Sequence, residues 1–361
     1  MCASDCKPIT LKHIADLAGV SVSTVSRSLN GTSRISEATR QRIRSMAEEL
    51  GFEFNASARS LITKQVGTIG VVLPPSYEEF GVNLYFNTLF NAIRAILERN
   101  DYDLIVAFPA NRFTGQDNLR RLVTRRKVDG LIVMSPRLEP ELLEFVRGSG
   151  MPFVFSHYPP PEGAEAELDF IYPDNELGGY LAARHLASLG RRRTFCLTSD
   201  ADYELEYRLR LQGARRALAE SGLSIGAEDI LYGDMSIESG YRAVMNFRRS
   251  LGGYDSLLAF DDLMAIGALQ AFAELGIAVP GEVSVVGYDD CELSGAMRPA
   301  LSSVHQPREE MSLVTCERLM GLIEARRQGL ERPPARRSVL RPELVVRESC
   351  GARSRGAGPR A

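Results

Sequence analysis

Near the start of the chain four polar residues fall within five positions: Ser23, Thr24, Ser26 and Arg27. The three small hydroxyls each donate and accept hydrogen bonds, and the guanidinium can grip guanine with two N–H groups or brace a phosphate. That set suits a helix entering a major groove. The same Ser and Thr also cap and solvate any short helix, so this stretch by itself leaves both readings open. Other chemistry lacks its usual motifs. No G-x-G-x-x-G follows an apolar run and no G-x-x-x-x-G-K-[ST] occurs, so neither dinucleotide nor P-loop phosphate cradles are present. There is no H-E-x-x-H, and His13, His157, His185 and His305 lie too far apart in sequence for a local metal site. The six cysteines are scattered without a C-x-x-C pair, which points to reduced, structural thiols. The expectation is a chain with no catalytic residue, no metal and no cofactor.

Around the polar quartet the pattern reads as three short helices. Leu11, Ile14, Ala15 and Ala18 follow i, i+3, i+4, i+7, with Thr10 placed to cap the helix start and Gly19 to break it. A second helix begins between Ser21 and Ser23, buries Val25 and Leu29, and ends at Asn30-Gly31, residues that tolerate a left-handed backbone. Ser36 can cap a third, which buries Ile43, Met46, Ala47 and Leu50 and stops at Gly51. Two helices joined by a Gly-containing turn, closed by a third, describe a helix-turn-helix. Charge agrees in direction: residues 1–65 hold nine Lys/Arg against six Asp/Glu, whereas the whole chain carries a net charge of -3. A basic head on an acidic body hints at nucleic acid, although a solvated helical surface would give the same bias.

From Val66 the rhythm changes. TIGVVL, DLIVAF, DGLIVM and PFVFS, then TFCLT, DILY, SLLAF and VSVVG, are short apolar runs separated by helix-length segments such as Leu84 to Asn100 and Leu205 to Glu220. Near-continuous apolar strands alternating with helices mean parallel sheets covered on both faces. The fold class expected is therefore α/β: an all-α three-helix helix-turn-helix headpiece, then two doubly wound parallel-sheet subdomains of four strands each. With 361 residues, 44% hydrophobic and 25% charged, the chain is long enough for more than one core. No apolar run approaches the ~18 residues of a spanning helix and the first ten residues lack a secretory signal, so a cytoplasmic protein with no membrane partner is expected.

The stretch ITLKHIADLAGVSVSTVSRSLNGTSRIS, with its alanine-glycine-valine-serine turn followed by T-V-S-R-x-x-N, closely resembles the headpiece of the LacI/GalR family of bacterial transcription regulators. The resemblance continues through VGTIGVVLP, KVDGLIV, DNELGGYLAARHLASLG, RLRLQGARRAL, FDDLMAIGAL, VPGEVSVVGYDD, PALSSVHQP and LRPELVVRES, covering roughly residues 9 to 349. It implies a disordered N-terminus at 1–8, a DNA-binding domain at 9–54, a hinge helix and linker at 55–65, and a periplasmic-binding-protein-like core at 66–348. Within that core the N-subdomain would span about 66–172 plus 305–328 and the C-subdomain about 173–304 plus 329–348. A disordered tail, 349–361, has no leucine heptad, so a homodimer is expected.

By position, Val22, Ser23 and Arg27 match the family's base-contacting sites, and Thr10, Ser21, Thr24, Ser26 and Asn30 match those that fix the DNA backbone. Periodicity alone would instead bury Val22 beside Val25 and Leu29. Asn55, Ala58 and Leu61 match a hinge helix whose leucine wedges into a central base step of a near-palindromic double-stranded operator; read without the family, the same segment is a plain linker with Leu61 packed on its own core. In the cleft between subdomains Arg210 matches a ligand-gripping arginine and Asp289 a carboxylate that accepts from ligand hydroxyls. Asp261 stands where asparagine is usual, and His157 where some relatives place an acidic contact. Asn83, Tyr85 and Phe86 are the nearest equivalents of an aromatic segment that stacks on a sugar, and Met235 replaces an aromatic. Asp262 and Asp290 are expected in ordinary salt bridges. These departures resemble relatives that sense disaccharides more than those that sense purines, so the implied effector is a mono- or disaccharide controlling operator affinity. Two other readings remain: a sugar-binding protein without regulatory role, and an α/β enzyme using Asp261, Asp289 and His157 as acid/base groups.

Overall fold

The computed structural model of the chain describes residues 9–29, 35–52, 65–74, 84–135, 138–161, 163, 167–199 and 205–352. Residues 1–66 and 67–361 form two separate compact units. In the first, α1 (Leu11–Ala18), α2 (Val22–Leu29) and α3 (Glu37–Glu49) close around buried Ile14, Ala15, Ala18, Val25, Ile43 and Ala47. Thr10 accepts from the His13 N–H at 3.3 Å and caps α1. Gly19 ends α1 at φ 65°, the left-handed conformation glycine adopts without steric cost. Ser21 accepts from the Thr24 N–H and Ser36 from the Thr39 N–H, starting α2 and α3. Leu29, Met46 and Leu50 flank the core half-buried, because a centre this small has room for few full side chains.

The second unit begins with β1 (Thr68–Val72), α4 (Leu84–Arg99), β2 (Asp103–Ala107), α5 (Asn118–Thr124), β3 (Gly130–Val133), α6 (Pro140–Gly148), β4 (Phe153–Ser156) and β5 (Phe170–Pro173). Then follow α7 (Asn175–Ser188), β6 (Thr194–Ser199), α8 (Leu205–Ala219), β7 (Ile230–Gly233), α9 (Ile237–Phe247), β8 (Ser256–Ala259) and α10 (Asp262–Glu274). The chain ends with β9 (Ser284–Asp289), α11 (Glu292–Ala296), β10 (Ser302–His305), α12 (Arg308–Arg327), β11 (Arg337–Leu340) and β12 (Glu343–Val345). The strands form two six-stranded sheets, ordered β11-β5-β4-β3-β1-β2 and β12-β10-β9-β8-β6-β7. The expected α/β class and its two doubly wound lobes are present. Fully buried runs in β1, β3, β4, β6, β8 and β9 match helices packed on both faces.

The strand count differs from the four per lobe read from sequence. Each sheet gains two strands, β5 and β11 in the first and β10 and β12 in the second, all three or four residues long. Runs this short carry too little periodicity to register. One of them, β12, is antiparallel to β10. The crossings between lobes also move. The first two follow Pro173 and His305, within a residue of Tyr172 and Val304, but the third follows Leu340 rather than Gln328. Residues 337–340 pair with β5 and so extend the first lobe, because the basic, proline-rich segment before them hides an edge strand. The tail likewise starts later than 349. Ser349 and Cys350 are buried, with the Ser349 N–H on the Ala300 carbonyl and its hydroxyl on the Val285 carbonyl, and residues 353–361 lie outside the described chain.

Close helix packing positions the second lobe's arginine. Helices α7 and α8 touch at Gly179 and Gly213, where a Cβ would run into the backbone carbonyls of Arg210 and Glu176 respectively. Alanine at Gly213 would gain ~1 kcal/mol of helix propensity but strain this contact by ~3 kcal/mol. Gly213→Ala is therefore expected to lower the melting midpoint of the core, and an unchanged or higher midpoint would contradict the packing argument.

Candidate functional site

In the headpiece, α2 presents Val22, Ser23 and Arg27 to solvent while Val25 points into the core. Val22 is 44% exposed, so its first-turn position, and not the apolar periodicity, decides its side. Ser21 Oγ lies 2.7 Å from Ser23 Oγ and 2.8 Å from Thr24 Oγ1, which orders the hydroxyls at the helix start. Ser26 is half-buried. Arg42 donates to the Ala18 carbonyl at 3.2 Å and fastens α3 to the end of α1. The result is a rigid frame with a short polar helix on its surface, the arrangement that places side chains in a groove. Asn30, Asn55, Ala58, Leu61 and Asn83 lie outside the described residues.

In the core, the expected cleft residues sit at the carboxyl ends of strands, where doubly wound sheets take ligands. His157 follows β4, Asp261 follows β8, Asp289 ends β9, and Met235 follows β7. Tyr85 and Phe86 open α4, and Arg210 lies mid-α8. Six of these seven are buried, and the structure joins them across both lobes. Tyr85 Oη is 3.2 Å from His157 Nδ1 and donates to Gln306 Oε1 at 3.3 Å; Gln306 Nε2 donates in turn to Asp289 Oδ1 at 2.6 Å. For this chain to close, His157 carries its proton on Nδ1. Phe86 packs edge-on to the His157 ring at 4.7 Å between centroids. Tyr85 and Phe86 thus pack edge-on to each other and against His157 in this closed arrangement, where they were expected to face a ligand. Met235 stands apart, half-buried against the second lobe's core.

Arg210 donates to Asn175 Oδ1 at 2.9 Å and to the Phe260 carbonyl at 2.6 Å, and its guanidinium lies 3.8 Å from the centre of the Tyr288 ring. Burial works against its charge, but Tyr288, Tyr207, Asp289 and Glu206 outweigh that and hold it cationic. Burial, reinforced by Arg210, lowers His157 to about 3, so the ring is neutral at physiological pH. Asp261 and Asp289 behave as a pair. Burial raises both, and the nearby Asp261 carboxylate raises Asp289 further, which disfavours two negative charges side by side. Asp261 also caps α10 through the Met264 N–H at 3.0 Å.

Asp262 departs from the expected salt bridge. Its carboxylate accepts from Ser294 Oγ, Ser303 Oγ and the Cys291 N–H at 2.6, 2.7 and 2.9 Å, and burial with nearby Asp289 pushes it up to about 7 against those donors. Full burial next to another acid favours neutral donors at this position. Asp290 keeps the expected ion pair, 2.6 Å from Arg347 and 3.1 Å from His305. Among the described residues six non-glycines have positive φ, and four of them, His157, Met235, Asp289 and Asp290, lie at these strand ends. Such backbone costs ~1–3 kcal/mol each and persists where the surrounding structure holds it, often at ligand sites. Asn175, Tyr288, Gln306 and Arg308 belong to the network and were not singled out by sequence. Gln306 and Tyr288 lay inside the blocks SSVHQP and GYDD, but nothing in their spacing marked them as partners.

A profile of the family described as bacterial regulatory proteins, lacI family, matches residues 10–55, and one described as periplasmic binding protein-like domain matches residues 183–350. The HTH-type transcriptional repressor PurR of Photobacterium profundum is 30% identical over 342 residues, 94% of this chain and 98% of that protein. The chain belongs to the LacI family. Among solved structures, the transcriptional regulator CelR–cellobiose complex is 28% identical with a TM-score of 0.68, covering 94% of this chain and 99% of that one. The lac repressor dimer bound to operator and the anti-inducer ONPF is 27% identical with a TM-score of 0.76, covering 95% and 99%. This LacI-family member is a DNA-binding transcriptional regulator controlled by a small-molecule effector, and not an enzyme.

Proposed function

We propose that this LacI-family regulator is a cytoplasmic, homodimeric repressor whose affinity for a near-palindromic operator is set by a mono- or disaccharide held between its lobes. The observation that carries the reading is the hydrogen-bond chain from His157 through Tyr85 and Gln306 to Asp289. It runs from one lobe, through the segment that crosses between them, to the other. A polyol offers donors and acceptors together, so it can replace Gln306 on Asp289 and Asn175 on Arg210 and rebalance lobe closure. The cellobiose carried by the related CelR complex and the operator under the lac repressor dimer support the two halves of this reading. No described helix is long and apolar enough to cross a membrane.

In the headpiece, Val22, Ser23 and Arg27 would read base edges, with Thr10, Ser21, Thr24 and Ser26 bracing phosphates. Arg27→Ala is expected to weaken operator binding about 10- to 100-fold at fixed salt, the ~1–3 kcal/mol of one bidentate base contact. Ligand-induced thermal shifts should be unchanged; loss of both activities together would contradict modular action. The decisive experiment is a thermal-shift screen of mono- and disaccharides with purines alongside. A bound effector at 100 times its Kd stabilises by ~2.7 kcal/mol. If no sugar raises the midpoint and a purine does, the carbohydrate reading falls.

A further inference from the structure

Where the chain crosses between lobes, Arg308 makes an unusual choice of partners. It opens α12, which is fastened to the first lobe: Thr315 Oγ1 lies 2.9 Å from Ser156 Oγ at the end of β4, and Ser312 Oγ reaches the Leu89 carbonyl of α4 at 3.4 Å. Its guanidinium turns into the second lobe, where it is buried and donates to the Asp289 carbonyl at 2.7 Å and to the Asp290 carbonyl at 3.0 Å. Both of those residues carry a carboxylate, yet among the described residues neither carboxylate takes the cation. Asp289 accepts instead from Gln306, and Asp290 from Arg347 and His305. Glu309, 3.6 Å from Arg308 Nε, is an exposed neighbour on the same helix.

The helix itself does not account for a cation at this position, because a helix start carries partial positive charge and favours acids. The two carbonyls do. Asp289 has φ 106° and Asp290 φ 51°, left-handed backbone that a residue with a Cβ adopts only under constraint. The N–H groups of this turn are held from within the second lobe, Asp290 by Ser303 Oγ and Cys291 by Asp262 Oδ2, each at 2.9 Å. Its two carbonyls receive charge-assisted bonds from the first lobe. A planar fork can fix two successive carbonyls at once, which a single ammonium cannot.

We propose that Arg308 is a positioning residue for the effector cleft: from the first lobe it holds the Asp289–Asp290 turn in its left-handed conformation and so keeps the Asp289 carboxylate in place. The inference rests on the reading of Asp289 as an effector contact, but its test uses no effector, so an empty sugar screen and a failed test are separate results. The test is site-resolved hydrogen exchange on the full-length protein. In Arg308→Gln the Asp290 and Cys291 amides should exchange at least ~10-fold faster, as expected for lost bonds to a charged donor. Val285 and Val286, inside β9, should keep their wild-type rates. Arg308→Lys keeps the charge but not the fork, and should exchange nearly as fast as the glutamine variant. Glycine adopts left-handed backbone without steric cost, so in an Asp290→Gly background Arg308→Gln should speed the Cys291 amide by less than ~3-fold. Wild-type exchange at the turn in Arg308→Gln overturns the proposal. So does acceleration spread equally through β9, which would make Arg308 a general stabiliser, and so does full rescue by lysine, which would make charge alone the agent. An undiminished effect in the glycine background overturns it as well. Should Arg308→Gln unfold, Arg308→Lys with and without Asp290→Gly decides by the same criteria.

Discussion

Arg210→Ala is expected to abolish the thermal shift produced by the effector while leaving the headpiece's binding to DNA intact. Two consequences of the same deletion combine. The guanidinium's bonds to Asn175 and to the Phe260 carbonyl vanish, and Asp261 and Asp289 lose a cation that lowers the proton affinity of both. Removing one partner from a buried charge network costs ~3–5 kcal/mol, because the groups left behind stay desolvated. The melting midpoint should fall accordingly, and effector affinity should drop at least ~100-fold, equivalent to ~2.7 kcal/mol. Protonation partly substitutes for the missing cation, so the loss should be smaller at pH 5 than at pH 8. Arg210→Lys should keep the charge but not the two-pronged geometry, and recover stability better than affinity. An effector shift in Arg210→Ala equal to wild type would remove Arg210 from the site.

The second large effect concerns pH. Asp261, Asp262 and Asp289 are each raised above the ordinary carboxylate value of 3.8 by burial, and a neighbouring acid adds to each: Asp262 to Asp261, Asp289 to Asp262 and Asp261 to Asp289. Between that value and the raised one, the folded protein binds more protons than the unfolded chain. Stability contributed by these groups is therefore full below about pH 4 and is lost as pH rises; for Asp262, pushed up to about 7, the loss ends near that pH. Each tenfold gain in proton affinity on folding corresponds to ~1.4 kcal/mol. The core's unfolding free energy should thus decline from pH 5 to pH 8. Asp261→Asn should flatten at least half of that decline, since an amide can donate to Asp289 without a proton to lose. The measurement is urea unfolding of wild type and variant across that range, and equal slopes would show that the pair titrates as ordinary exposed acids. Effector affinity should follow the same pair: a ligand hydroxyl that donates to Asp289 competes with a proton bound there, so wild-type binding should tighten toward pH 8 and the variant's less so.

Much of this was open to a reader of the chain alone. The i, i+3, i+4, i+7 pattern with Thr10, Ser36 and Gly19 located the headpiece helices, because caps and left-handed stops act within a few residues. The apolar runs located the buried central strands, since strands covered on both faces must be apolar throughout. The family resemblance, resting on ordered blocks of residues, brought Tyr85, Phe86, His157, Arg210, Asp261 and Asp289 into one candidate site.

What tertiary structure decided is of another kind. Strands β10, β11 and β12 exist because neighbouring strands offer them hydrogen bonds, and no local pattern announces a partner far along the chain. Val22 is exposed because it heads its helix, Asp262 takes neutral donors in place of a cation because the start of α11 and strand β10 converge on it, and Gln306 matters because it lies where the chain crosses between lobes. Sequence by itself determined which residue types stand on the second helix of the headpiece and at the strand ends of the core, since those follow from local pattern. Only the fold decided that two carboxyls would be buried near one arginine with their proton affinities raised, because desolvation and repulsion arise when distant side chains are buried together.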